Sequence, residues 1–188
     1  MRMFLAVFPS PPAQEAAHRV IERLRRPEDD VSWVRRENLH YTLRFMGELD
    51  EDAVSRLIAA ARQGAAERPR FTATLGAAGA FPSARRARVL WLGLSQGAEA
   101  LTALAGGLER SLVDHDFEGA ERPFSPHLTL GRVRRREQDW SGRLATVAAG
   151  SESGHPTGFV VDRVAIVEST LSPGGSIYRV RAEATLTP

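Results

Sequence analysis

Asn38-Leu39-His40-Tyr41-Thr42-Leu43-Arg44-Phe45-Met46 and His127-Leu128-Thr129-Leu130-Gly131-Arg132-Val133 are the two stretches on which the reading of this chain turns. Each opens with polar and apolar residues in alternation, the period-two pattern of a strand, and each contains the tetrad His-x-Thr-Leu. Side chains at i and i+2 of a strand share a face. His40 therefore sits with Thr42 while Tyr41 and Leu43 anchor the other side, and His127 sits with Thr129 while Leu128 and Leu130 do the anchoring. The first tetrad begins at position 40 and the second at 127, 87 residues on in a chain of 188. A near half-chain repeat of this kind points to duplication with pseudo-twofold symmetry.

The flanking sequence supplies the rest of the fold class. Met3 to Phe8 reads as a buried strand, and the Pro9-Ser10-Pro11-Pro12 cluster starts a helix over roughly 13 to 26, with Ala17, Val20, Ile21 and Leu24 as its apolar stripe. Val31 to Val34 is a short apolar segment. Asp50 or Asp52 starts a second helix that runs to about Arg62. Phe71 to Leu75 and Arg88 to Leu94 read as strands around a Gly and Ala-rich connection, and Ala98 to Val113 as a third helix. Residues 115 to 126 form a loop and Trp140 to Ala148 a fourth helix. Phe159 to Ser169 and Ile177 to Leu186 are two strands joined by the turn Leu171-Ser172-Pro173-Gly174-Gly175. Helices interleaved with hairpin-forming strands predict an α+β fold with largely antiparallel sheets. No stretch has a linker's composition, so residues 1–188 are expected to form a single domain.

Composition narrows the chemistry. Hydrophobic residues are 43% and charged residues 26%, as in ordinary globular proteins. The apolar run at Met3 to Phe8 is too short for a signal peptide or a membrane span, so a cytoplasmic protein with no membrane association is expected. The chain has no cysteine, which removes disulfides, thiolate metal sites and cysteine nucleophiles together. All 25 basic residues are arginine, whose planar fork suits phosphate. An Ala- and Arg-rich, Lys-free chain is also what a GC-biased genome would encode, so composition carries little weight.

Two strands facing each other across a cleft would bracket one small group between two imidazoles and two hydroxyls. A cyclic phosphate uses all four. In-line displacement at phosphorus needs a base on the attacking water and an acid on the leaving oxygen, and two histidines supply both near neutral pH. Threonine hydroxyls donate to the non-bridging oxygens, and no metal or other cofactor is required. The plainer alternative is that both histidines are satisfied structural residues and both threonines merely favour strands. His18, His115 and His155 lack any partner motif. The same holds for Asp114-His115-Asp116, which has no second half to make a metal site. Arg134-Arg135-Arg136 and Arg85, Arg86 and Arg88 are read as solvated surface, with an RNA backbone as the other reading. Gly174-Gly175 is a hairpin turn rather than a phosphate cradle.

The blocks Trp33 to Glu48 and Phe124 to Val133 resemble the two signature segments of the bacterial and archaeal RNA 2′,3′-cyclic phosphodiesterases, also called 2′-5′ RNA ligases, of the two-histidine phosphoesterase superfamily. Phe81-Pro82-Ser83 leading to Val89-Leu90-Trp91-Leu92-Gly93, and Val167 through Tyr178, agree in the same order along nearly the whole chain. The resemblance implies a bilobal α+β fold with two pseudo-symmetric, mostly antiparallel sheets flanked by helices and the active cleft between the lobes. It implies hydrolysis of RNA 2′,3′-cyclic phosphate ends to 2′-phosphates, with His40 as proton donor and His127 as the base that activates water. Thr42 and Thr129 would hold the phosphate, and the family's arginine five residues after the second histidine falls on Arg132. An odd offset aims Arg132 away from His127 unless a bulge or strand end at Gly131 intervenes. Phe45 is the equivalent position in the first repeat, where an aromatic serves either to stack a base or to fill the core. RNA ends, and small cyclic nucleotides, are the expected partners of a monomer. Ligation of tRNA halves, or non-catalytic binding of RNA ends, are the alternative activities.

Overall fold

The computed structural model describes residues 1–147, 154 and 156–188. Nine strands form the sheet: β1 (Arg2–Val7), β2 (Val31–Trp33), β3 (Tyr41–Glu48), β4 (Phe71–Phe81), β5 (Val89–Gln96), β6 (Leu128–Val133), β7 (Gly158–Val161), β8 (Arg163–Ser172) and β9 (Gly175–Thr185). The helices are α1 (Pro11–Leu24), α2 (Glu51–Ala66), α3 (Ala98–Asp114) and the single turn α4 (Ser141–Leu144). The strand order is β7-β4-β5-β6-β3-β1-β8-β9, with β2 beside β6, and all the strand ladders are antiparallel.

This path falls into two four-stranded halves, β6-β5-β4-β7 and β3-β1-β8-β9, whose inner two strands correspond: a tetrad strand, then the strand that precedes it across a helix, α3 in one half and α1 in the other. They are joined by one Cα pair, Tyr41 with Leu128. The remainder of that edge of β6 is taken by β2, where Val31, Ser32 and Trp33 pair with Val133, Arg132 and Gly131. The tetrad strands are thus edge neighbours that touch once and then splay, rather than strands facing each other from opposite walls as the sequence suggested. One side of the sheet buries a core that runs from Met3 to Leu186, under α1, α2 and α3. Ser10 and Asp50 cap α1 and α2, accepting from the backbone N–H of Ala13 and Ala53, contacts of the kind that contribute about 1 kcal/mol each.

Three elements differ from the sequence expectation. The single strand expected over Phe159 to Ser169 is two: β7 pairs with β4 in one half, and β8 pairs with β1 in the other. The buried Val161 and Val164 lie three apart, which breaks the period of two at Asp162 and Arg163. The Gly and Ala-rich connection is strand, because β4 extends to Phe81. Its small residues admit close neighbours: a Cβ on Gly79 would lie 2.4 Å from the Trp91 indole, and one on Gly76 2.7 Å from Ser95 N. The fourth helix shrinks to one turn, with the buried Trp140 held under Arg143 at 3.8 Å. Ala148 and His155 lie outside the described residues. Among the described residues no helix is long and apolar enough to cross a membrane.

Candidate active site

Tyr41 and Leu43, like Leu128 and Leu130, are buried in the core, so the partners that alternate with them point the other way, into a cleft of about 1390 Å³. His40, Thr42, His127, Thr129, Arg132 and Phe45 all line it. The structure therefore brings together all six of the residues singled out from sequence. Each histidine sits one residue before its strand begins, where the backbone two residues earlier can turn back on the ring. His40 Nδ1 lies 2.6 Å from Asn38 O, and His127 Nδ1 lies 2.8 Å from Ser125 O. A carbonyl only accepts, so both rings carry hydrogen on Nδ1 and leave Nε2 as the exchanging atom. His40 Nε2 lies 2.9 Å from Thr42 Oγ1.

The surroundings of the two rings differ. His40 is enclosed by Phe4, Phe8 and Tyr178, with ring centroids at 5.0, 5.4 and 5.4 Å. Burial pushes its pKa below the ordinary imidazole value; the Asn38 carbonyl opposes this, and the like charges of His127 and Arg132 add to it. Of the aromatic rings among the described residues His127 meets Phe81 alone, edge-on at 5.1 Å, and Phe81 leans on Trp91 at 5.2 Å.

A bulge in each tetrad strand re-aims the side chains beyond it. In the β5–β6 ladder Trp91 pairs with Thr129 and Leu90 with Gly131, so Leu130 is the extra residue. Leu130 and Gly131 both face the core, and Arg132 returns to the cleft side, which removes the parity problem of the odd offset. Gly131 is required there, since a Cβ would lie 2.7 Å from Val31 Cγ1 and 2.8 Å from Trp33 Cε3. In the β1–β3 ladder Leu5 pairs with Arg44 and Ala6 with Thr42, so the extra residue is Leu43, the same position of the first tetrad. Phe45 is consequently the counterpart of Arg132. It is 50% exposed, which excludes the core role, and the Arg2 guanidinium lies 5.0 Å from its ring centroid.

Sequence reasoning missed the carbonyls of Asn38 and Ser125, the aromatic cage of His40, and the residues that hold the cleft walls. Arg35 and Asn38 donate to Gly174 O and Ser176 O, tying the β8–β9 turn to the segment before His40. Arg44 donates to Glu118 O, and Glu109 accepts from Ala120 N, tying down the loop before His127. The only available signal was that Asn38 and Ser125 hold the same place, two before each histidine. The other histidines have local roles: His18 pairs with Glu22 on α1, and His115 Nδ1 bonds Ser111 O at the end of α3. No group of three or more His, Asp or Glu among the described residues is placed to hold a metal.

The 2′-5′ RNA ligase superfamily profile matches residues 9–172. The chain belongs to this superfamily. An RNA 2′,3′-cyclic phosphodiesterase of Thermotoga maritima is 33% identical over 183 residues, covering 97% of this chain and 94% of its own. One from Methanothermobacter thermautotrophicus is also 33% identical over 183 residues, covering 95% of each. Among solved superfamily structures, E. coli LigT complexed with 3′-AMP superposes with a TM-score of 0.76 at 28% identity, over 100% of this chain and 98% of that one. The protein TT0787 of Thermus thermophilus gives 0.78 at 27% identity over 99% and 98%. The superfamily's mixed α and β fold, with its curled antiparallel sheet, is the fold of this chain, and the chain is an enzyme of the phosphodiesterase class.

Proposed function

We propose that the chain hydrolyses RNA 2′,3′-cyclic phosphate ends to 2′-phosphates by metal-independent acid and base catalysis. The observation that carries this is the matched pair of imidazoles, each with Nδ1 on a carbonyl two residues back and Nε2 left for the cleft. In the reaction, water oxygen bonds to phosphorus as the P–O3′ bond breaks. His127 Nε2 takes a proton from the water and His40 Nε2–H gives one to O3′. The products are a 2′-phosphomonoester and a 3′-hydroxyl, with the protonation states of the two rings exchanged. The Nδ1 contacts are alike for the two histidines and set no direction; the direction follows the family resemblance. Thr42 and Thr129 donate to the non-bridging oxygens, where charge builds up, and the Arg132 fork pairs with the phosphate. Phe45 offers its face to a base. Both tetrads come from one chain, so a cytoplasmic monomer suffices, and small cyclic nucleotides fit the same chemistry.

A product-resolved assay on cyclic-phosphate RNA in EDTA tests this. A 2′-phosphate product is expected, and His40→Ala or His127→Ala lowers turnover at least ~10²-fold. A 3′-phosphate product, full activity of either variant, or loss of activity in EDTA overturns it. RNA bound without turnover would make the chain an end-binding module.

The superfamily's name favours a second reaction through the same groups. A 5′-hydroxyl in place of water attacks phosphorus, breaks P–O3′ and leaves a 2′-5′ linkage. Adding an RNA half with a free 5′-hydroxyl to the same assay detects it.

A further inference from the structure

β6 does not end its run of cationic residues in the cleft. Arg132 lines the cleft, and Arg134 comes two residues later. Arg134 N donates to Asp30 O at 3.0 Å, which carries the β2–β6 pairing one step past Val31 and Val133. Strand parity is kept, so Arg134 lies on the same face as Arg132, displaced by about 6.6 Å, two steps of ~3.3 Å. A short turn at Ala84–Arg86 lies alongside. Val133 N bonds Arg88 O at 2.9 Å, and Ala87 bridges to Gln138.

Charge is unevenly neutralised in this region. Glu137 is shared by Arg86 at 2.7 Å and Arg88 at 3.8 Å, and Asp30 holds Arg135 at 3.2 Å. Asp139 accepts from Ser141 N and Oγ. Arg134 and Arg136 are exposed and have no ion pair among the described residues; Arg85 is exposed and has no direct ion pair among them, although Asp139 lies close enough to feel its charge. Elsewhere Arg44 is engaged with Glu109, Arg181 with Glu168 and Glu51, and Arg2 with the Phe45 ring, while the cleft-lining Arg122 is exposed on the loop before His127. The chain's net charge is only +2, so attraction for a polyanion depends on where charge is left over rather than on the total.

We propose that Arg134, Arg136 and Arg85 form a track for the phosphate backbone of the RNA body, continuous with Arg132. The track rests on the RNA-end reading of the cleft and adds to it a direction: the strand leaves the cleft past His127 along the end of β6. Guanidinium forks read backbone phosphates without regard to sequence, so the track favours longer RNA over cyclic mononucleotides and does so more strongly at low salt.

The test separates binding from turnover. The affinity of a labelled single-stranded RNA ending in a 2′,3′-cyclic phosphate is measured by anisotropy across a salt series, beside turnover of cytidine 2′,3′-cyclic phosphate. For Arg134→Glu/Arg136→Glu, RNA affinity is expected to fall about tenfold or more at low salt, and the slope of log affinity on log salt to shrink by about 1.4, at ~0.7 per single-strand contact. Mononucleotide turnover stays within twofold. The same charge reversal at the exposed Arg62 and Arg70, which do not line the cleft, leaves affinity within twofold. Unchanged RNA affinity in the track variant, or an equal loss in the control, overturns the track. Wild type that turns over neither substrate but binds RNA through these arginines sinks the phosphodiesterase reading and leaves the track standing. An acidic polypeptide that competes with RNA only in wild type, together with unchanged RNA affinity, would assign the patch to a protein partner instead.

Discussion

Tyr41 and Leu128 are Cα partners, and through this pair alone β3 meets β6. Each is the residue that comes directly after a tetrad histidine. An antiparallel bridge at this register puts His40 beside Thr129 and Thr42 beside His127, all on the face opposite the buried Tyr41 and Leu128. Beyond the pair the strands part, and the cleft opens where they do. The Tyr41 hydroxyl also donates to Gly93 O at 3.1 Å, so the residue that joins the halves is fixed to β5 as well. Tyr41→Phe is expected to lower unfolding free energy by about 1 kcal/mol, seen as a lower urea midpoint at unchanged slope, with turnover retained. A loss of activity without a loss of stability would show that the hydroxyl serves the reaction rather than the join.

The bulge at Leu130 predicts a separable effect. Gly131→Ala puts a methyl against Val31 and Trp33, so either β2 retreats or the bulge flattens. Overpacking of this kind costs about 1–3 kcal/mol. If the bulge flattens, Arg132 turns from the cleft and KM for cyclic-phosphate RNA rises more than kcat falls. Arg132→Gln should reproduce the kinetic change without the loss of stability, and identical urea midpoints for all three proteins would count against a required glycine.

Much of this arrangement was legible in the sequence, for a physical reason. The tetrads repeat, and period two assigns their faces without any knowledge of neighbours. The offset of Arg132 was legible only as a contradiction in parity, which the extra residue in β6 resolves. Phe45 was ambiguous because an aromatic in a strand suits a core or a surface equally; its exposure follows from the bulge at Leu43, which depends on register with β1. The break at Asp162 was in principle visible in the spacing of Val161 and Val164. The aromatic cage of His40 was not, because Phe4, Phe8 and Tyr178 come from β1, the residue just after it, and β9, and only the sheet order β3-β1-β8-β9 gathers them.

His40 gives a pH prediction whose direction can be worked out. In the proposed role of acid it must hold a proton, and in the free protein burial, with His127 and Arg132 adding, holds its pKa below the ordinary value of about 6.5. The basic limb of kcat/KM, which reports the free enzyme, should therefore fall below that pH. A bound phosphate anion offsets the like charges, so the basic limb of kcat lies higher. Arg132→Gln removes one of those charges and should move the kcat/KM limb upward. If the acidic limb moves instead, His40 is the base and the two roles are reversed.

The threonines are distinguishable from each other. Thr42 Oγ1 touches His40 Nε2, so Thr42→Val removes the proposed donor to the phosphate and also frees the ring, with an expected loss in kcat of about 10² and a shifted pH profile. Thr129→Val should lower kcat by a similar factor while leaving the profile in place. Serine at either position should restore most of the rate, and pH profiles of the four variants beside wild type check all of these outcomes.

The loop before His127 gives the last prediction. Glu109 on α3 accepts from Ala120 N at 2.5 Å and lies 3.6 Å from Arg44, which donates to Glu118 O at 2.7 Å. The clamp therefore runs from the first tetrad strand, through the helix, to the loop that supplies Ser125 O to His127. Glu109→Ala leaves both Arg44 and the Ala120 N–H without this carboxylate. Because the pair is partly exposed, the cost in global stability should be under about 1 kcal/mol. The effect on kcat should be larger, since a ring displaced from its in-line position loses rate steeply. Glu109→Gln can still accept from Ala120 N and should recover part of that rate. Faster amide exchange across residues 118–126 in Glu109→Ala, with α3 unchanged, would locate the effect in the loop; slower turnover with unchanged exchange would exclude the clamp as its cause.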